Sequence, residues 1–323
     1  MKKILTLLLV ITILFSFSGC NGDDLKNYSE AVKKTSSILK GQMEISMDTD
    51  LDISTDELTK EQKKAIKYFK NLEGKMNIKF DDESKKFISR NYFSFGGLGM
   101  DSNVYGNGEQ IYLQMPIIGK YIDISQEYKK ETKQDSGSFL SEDTKEKIGN
   151  KWLNILQEDD IFTGQDTIMD TPDGEVKVTE YNIHIEDNQL KEFALSVVDI
   201  VAKDEDFIKN LNKEIEEVEG EDKVNSDELI KNIKKMIKGA GIEAFNYTAY
   251  VDIDGYIVKE IIEVNMDSNE SEIINGAKFN MEINTWDIEE EQEFDFPDIN
   301  EDNILNRDEI EDGMPFIFEN IEE

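Results

Sequence analysis

Asp298, Asn300, Asp302, Ile304, Asn306 and Glu309 have the spacing at which a twelve-residue loop wraps oxygen ligands around calcium. Alternating oxygen donors surround a hard cation, and an acid at the last place closes the shell with both oxygens. Leu305 supplies the apolar residue after the fourth ligand. Asn303 stands where such loops carry a turn glycine, and Asn tolerates a left-handed backbone. Pro297 and the strand-like residues before it provide no entering helix. The spacing names Ca²⁺ as the ion to test. The default is no cofactor, because a tail this acidic matches the pattern easily by chance.

Other chemistry is thinner. His184 is the sole histidine, and it lies between Ile183 and Ile185, where strand alternation turns it away from a core. With no Gly-x-Ser-x-Gly elbow and no cysteine besides Cys20, neither a nucleophilic triad nor a histidine zinc site has partners. Phe95-Gly96-Gly97-Leu98-Gly99 lacks the Lys-Ser/Thr of a phosphate loop and reads as a mobile turn between strands. Asp48, Asp50 and Asp52 form a row on one strand face, a cation site at most and more commonly a solvated surface. Among 71 acidic residues no pair is singled out for hydrolysis, so the chain reads as no enzyme, with no catalytic residues assigned.

Residues 1–20 address the protein. Lys2 and Lys3 precede an almost unbroken apolar run, Ile4 to Phe17, that ends at Phe17-Ser18-Gly19-Cys20. This is the layout of a secretory signal, and the run falls short of the ~20 residues a spanning helix needs. Cys20 directly after Ser-Gly resembles the lipobox of bacterial lipoproteins. That resemblance implies cleavage before Cys20, a diacylglycerol on its thiol and an acyl group such as palmitate on the new amine. Residues 1–19 would then be a lipoprotein signal peptide and residues 20–24 an acylated tether. The protein would be exported and anchored to the outer face of the cell membrane through Cys20. The plainer readings are a simple cleaved signal or an uncleaved anchor.

The formal charge is −35, and removing residues 1–19 takes away two lysines and no acid. The remaining −37 excludes nucleic acid as a partner, since phosphate binding needs basic surface. It also opposes an anionic lipid surface and could attract cations or a basic protein partner. Hydrophobic residues make up 38% of the chain, with 17 Phe and 11 Tyr, enough for a core. With one cysteine no internal disulfide can form, so that core must hold the fold alone. The Lys, Ile, Asn and Glu bias suggests a low-GC Gram-positive source.

Along the chain, Leu25, Tyr28, Val32 and Leu39 recur at helical spacing, and Gly41 ends that helix. Met43, Ile45, Met47, Thr49, Leu51 and Ile53 then alternate with polar residues, the clearest strand in the sequence. Ser54 and Glu57 look like a capping box that opens a helix carrying Leu58, Ala65, Ile66, Phe69 and Leu72. Antiparallel strands follow from Gly74 to Ile124, with Asn107-Gly108 suited to a hairpin turn. After a polar loop at residues 126–146, Ile148, Trp152, Ile155 and Leu156 predict a short helix. Glu175 to Ile185 predicts a strand and Asn188 to Lys238 a helical block. Two strands around Asp254-Gly255 and a last one through Phe279, Met281 and Ile283 complete the pattern. Asp287 to Glu323 holds 16 acidic residues against Arg307 alone and reads as a solvated tail.

This order predicts an α+β fold: one large, curved antiparallel sheet with helices packed on one face, spanning residues 25–297 as a single domain. Residues 298–323 would form an acidic C-terminal extension. The N-terminal helix leading into Gly41–Ile53, and the hairpin ending Ile111-Tyr112-Leu113-Gln114-Met115-Pro116-Ile117-Ile118-Gly119-Lys120-Tyr121-Ile122, resemble the half-barrel of the outer-membrane lipoprotein carrier and of mycobacterial lipid-carrying lipoproteins. The resemblance is also to Gram-positive lipoproteins of the same layout. It implies helices over the concave face and room between them for an acyl chain. The expected function is a lipid-anchored extracytoplasmic binding protein holding a lipid or other amphiphile, a hydrophobic ligand, between sheet and helices. Met43, Ile45, Met47, Phe193, Val197 and Phe207 are the inner-face candidates, with plain core packing as their alternative role. A surface interaction module with an acidic, calcium-binding face is the second reading. A hydrolase using unidentified carboxylates is the third.

Overall fold

The structure is a computed structural model that describes residues 23–54, 70–108, 110–125, 140–217, 225–268 and 274–305, together with residues 59, 63, 66 and 68. Cys20, Asn306 and Glu309 lie outside the described residues, as does most of the helix expected after Ser54.

Helix α1 (Asp24–Thr35) opens the described chain and leads into β1 (Lys40–Ile53). Strands β2 (Asn71–Asp81), β3 (Lys86–Phe95), β4 (Leu98–Asn107), β5 (Gln110–Met115) and β6 (Lys120–Asp123) follow in succession. Leu72, expected on a helix, instead belongs to β2 and faces Phe95 across the β2–β3 pair. Helix α2 (Glu142–Ile155) and a 3₁₀ turn (Glu158–Asp160) precede β7 (Ile161–Thr171) and β8 (Gly174–Ile183). The helical block resolves into α3 (Asp187–Val201), α4 (Glu205–Glu217) and α5 (Ser226–Gly239). Strands β9 (Ala240–Asp252), β10 (Ile257–Ser268) and β11 (Ile274–Trp286) complete the sheet.

All eleven strands form one open, curved antiparallel sheet in the order β6-β5-β4-β3-β2-β1-β11-β10-β9-β8-β7. The chain starts at the centre of the sheet, winds outward to β6, crosses to the far edge and returns to pair β11 with β1. Glycines make the tight hairpins: Gly96 and Gly97, both at positive φ, turn β3 into β4, as φ > 0 at both central residues requires.

Strand alternation gives the sheet two chemically distinct faces. One carries Tyr181, Ile183, Phe245, Tyr247, Ala249 and Val251, which are buried with Tyr28 and Ala31 of α1 in the core. Tyr28, fully buried, sits edge-on to Tyr247 with ring centroids 6.2 Å apart. Trp152 of α2 donates its indole N–H to the Tyr28 hydroxyl at 3.0 Å. Truncating a ring so enclosed costs ~3–5 kcal/mol.

The opposite face is polar on β1, and residues 287–305 lie along it. Glu289 N–H donates to Lys40 O, Lys79 Nζ to Glu293 O and Tyr121 N–H to Asn303 O. Ile304 bridges Tyr121 in parallel fashion, so residues 303–305 extend the sheet beyond β6. The side chains alternate: Phe294, Phe296 and Ile299 are half-buried, and Glu293, Asp295 and Asp298 face solvent. This stretch is acidic outside and apolar inside. These described residues are no solvated tail: Phe294, Phe296 and Ile299 are half-buried, and residues 289, 303 and 305 bond to the backbone of β1 and β6.

Candidate functional site

Register places a continuous apolar surface on the inner face of β1 and its neighbours. In one row across the sheet, Ile45 faces Met76 on β2 and Ile283 on β11. In the next, Met47 lies between Gly74 and Met281, and Phe93 and Met100 continue outward from Gly74. In a third, Met43 lies between Ile78 and Thr285. Leu72, Phe95 and Leu98 continue the face to the end of the β3–β4 hairpin, where Leu98 is 58% exposed.

Two properties separate this surface from the core beside it. Met43, Ile45, Met47, Met76, Ile78, Phe93, Phe279, Met281 and Ile283 are all only half-buried, whereas Tyr247 and Ala249 on the same face are buried. Among the described residues, no inner-face position on β1 to β5 or on β11 carries a charge. The outer face of the same strands carries Glu44, Asp48, Asp50, Asp52, Glu73, Lys75, Lys79 and Arg90. A half-covered, uncharged surface of this length can bind an apolar molecule.

Met43, Ile45 and Met47 therefore sit together. The helical candidates sit apart from them in sequence and setting. Phe193 on α3 packs edge-on against Trp152, 5.3 Å between ring centroids, and Trp152 in turn meets Phe245 and Tyr247. Val197 is half-buried on α3. Phe207 is half-buried on α4, and its backbone N–H donates to Asp204 Oδ1 at 3.0 Å.

On β10 an acid stands among the inner-face residues. Glu260 on β10 lies between Ala249 and Ile283, and it accepts a hydrogen bond from the Tyr247 hydroxyl. Burial raises the Glu260 carboxyl above the usual glutamate range, and the Tyr247 bond only partly offsets this. Burial likewise raises both Tyr28 and Tyr247. The alternation Val258, Glu260, Ile262, Val264 already places Glu260 with the apolar set, so its position was readable from the sequence.

The remaining candidates fall on the surface. His184 is exposed, and its backbone N–H donates to Asp160 O at 2.8 Å. Asp48 accepts from Asn280 Nδ2 at 2.8 Å and Asp50 from Asn71 on the outer face. Among the described residues, no three His, Cys, Asp or Glu side chains are placed to hold a metal ion. Asn303 is not left-handed. Its side chain accepts from Asn300 N–H and donates to Asp298 O, both at 2.8 Å, while Ile304 is engaged with Tyr121. Asn306 and Glu309, which would complete the expected calcium loop, lie outside the described residues.

No protein-family model matches the chain. No curated protein matches it in sequence. Among solved structures it is similar to a domain named for outer membrane lipoprotein sorting from Vibrio parahaemolyticus, at 10% identity and TM-score 0.23, covering 87% of this chain and 97% of that one. It is also similar to a protein from Desulfovibrio piger whose family is defined by a domain of unknown function. That match has 11% identity and TM-score 0.20 over 85% and 96% of the two chains. Superposition this loose carries no argument about function.

Proposed function

We propose that the protein is a lipid-anchored extracytoplasmic binding protein whose sheet forms a half-barrel and holds one amphiphile against its inner face. One observation carries this reading: the uncharged, half-buried inner surface from β1 to β5 and on β11, in a chain of which one third is charged. Burying apolar area contributes ~25 cal/mol per Å², so a ligand laid along Met43, Ile45, Met47 and Phe93 gains affinity without any directional contact. The anchor comes from residues 17–20, where Cys20 receives the acyl groups and keeps the domain at the outer face of the cell membrane. The negative charge keeps the outer face solvated beside the bilayer.

Met47→Asp tests the reading. Titration with a fluorescent acyl probe should show at least a tenfold loss of affinity, because a carboxylate at that position has no partner. Unchanged affinity would remove Met47 and its face from the site.

A further inference from the structure

A polar island interrupts the apolar inner face on β3 and β4. Asn91 lies between Met76 and Ser102, and Ser89 between Ile78 and Val104. Ser89 Oγ donates to Asn91 Oδ1 at 2.7 Å, and Asn91 Nδ2 reaches Ser102 Oγ only at 3.5 Å. An amide offers two N–H donors and two acceptor lone pairs, and each hydroxyl adds a donor and acceptors. Among the described residues, one Asn91 N–H, one Asn91 lone pair and the Ser102 hydroxyl proton have no partner. All three side chains are half-buried, so these groups remain within reach of a molecule lying on the face.

We propose that Ser89, Asn91 and Ser102 hold the uncharged polar head of the bound amphiphile, a hydroxylated ester such as a monoacylglycerol. Its acyl chain then lies along Met76, Ile45 and Met47. This assignment rests on the binding function proposed above and adds the class of ligand. A neutral head supplies hydroxyl donors and ester acceptors that match the free amide and hydroxyl groups. An ionised head would be desolvated on a face where β1 to β5 offer no cation, which weakens its binding. The polar island therefore selects against fatty acids and anionic phospholipids.

The test compares monopalmitoylglycerol with palmitate, each displacing a fluorescent acyl probe from the Cys20→Ser chain. The wild-type face should bind monopalmitoylglycerol at least about tenfold more tightly than palmitate, the ratio that one net hydrogen bond provides. Asn91→Leu should reduce that preference at least about threefold, through weaker binding of monopalmitoylglycerol. Ser102→Ala, a smaller change that keeps the fold, should reduce the preference in part. Equal affinities in the wild type, or equal loss of both ligands in Asn91→Leu, would overturn the headgroup assignment while the binding function stands. Failure of the probe and both ligands to bind would overturn the binding function and this assignment together.

Discussion

The Met47 side chain lies across Gly74 on the neighbouring strand, where a β-carbon would stand 3.0 Å from Met47 Cγ. Methionine has three rotatable bonds and yields easily. Gly74→Ala should therefore change stability by less than ~1 kcal/mol. Gly74→Leu should displace Met47, fill the trough and lower amphiphile affinity about tenfold or more. Parallel melting curves and probe titrations separate the two effects. Equal affinity in Gly74→Leu would place the ligand elsewhere.

Gly106 gives the contrasting case. Its missing β-carbon leaves room for the ring of Phe87 on the adjacent strand, and an alanine there would overlap ring atoms that cannot bend away. Gly106→Ala should cost ~1–3 kcal/mol by overpacking. Denaturant unfolding checks this, and a neutral result would mean that Phe87 has another rotamer available.

Two carboxyls should give stability opposite dependence on pH. Asp204 is buried, which raises its carboxyl, but bonds from Phe207 N–H, Thr144 Oγ1 and Ser141 N–H outweigh burial and hold it at about 2. A lowered folded value stabilises the protein above the ordinary aspartate range and loses that contribution as pH falls toward 2. Asp204→Asn should therefore lower stability at neutral pH by ~2 kcal/mol and flatten the acid limb of the profile.

Glu260 behaves in reverse. Its raised folded value means that its contribution is full below the ordinary glutamate range and declines as pH rises through the raised value. Glu260→Gln should raise the melting temperature at neutral pH and leave it nearly unchanged in acid. A lower melting temperature at neutral pH alone would show that the charged Tyr247–Glu260 bond stabilises the fold.

The outer segment gives a fifth prediction. Phe294 and Phe296 stack with ring centroids 5.6 Å apart, on the chain that runs from Asp287 toward Tyr121. Phe296→Ser should destabilise the protein by ~1–2 kcal/mol, which urea unfolding would detect. A solvated tail would show no change.

The sequence showed some of this directly and hid the rest for physical reasons. Strand β1 was plain because Met43, Ile45, Met47, Thr49 and Leu51 alternate with polar residues. Asn107-Gly108 and Asp254-Gly255 marked their hairpins, since Gly108 and Gly255 adopt the positive φ these turns need. Strand β7 was missed because Ile161 is its one buried residue and Phe162 and Ile168 are exposed, so no apolar alternation marks it. The β1–β11 pairing joins residues more than 200 positions apart, and no local pattern records it. The acids between 287 and 302 obscured the two-residue period of Gln292, Phe294 and Phe296. Ser89, Asn91 and Ser102 come together only once the β3–β4 register is known.

Native mass spectrometry of the Cys20→Ser chain, purified gently after export from its host, tests the central claim most directly. A binding protein of this design should carry an additional lipid-range mass that organic extraction removes. A bare protein mass, with none gained after incubation with lipid vesicles, would contradict it.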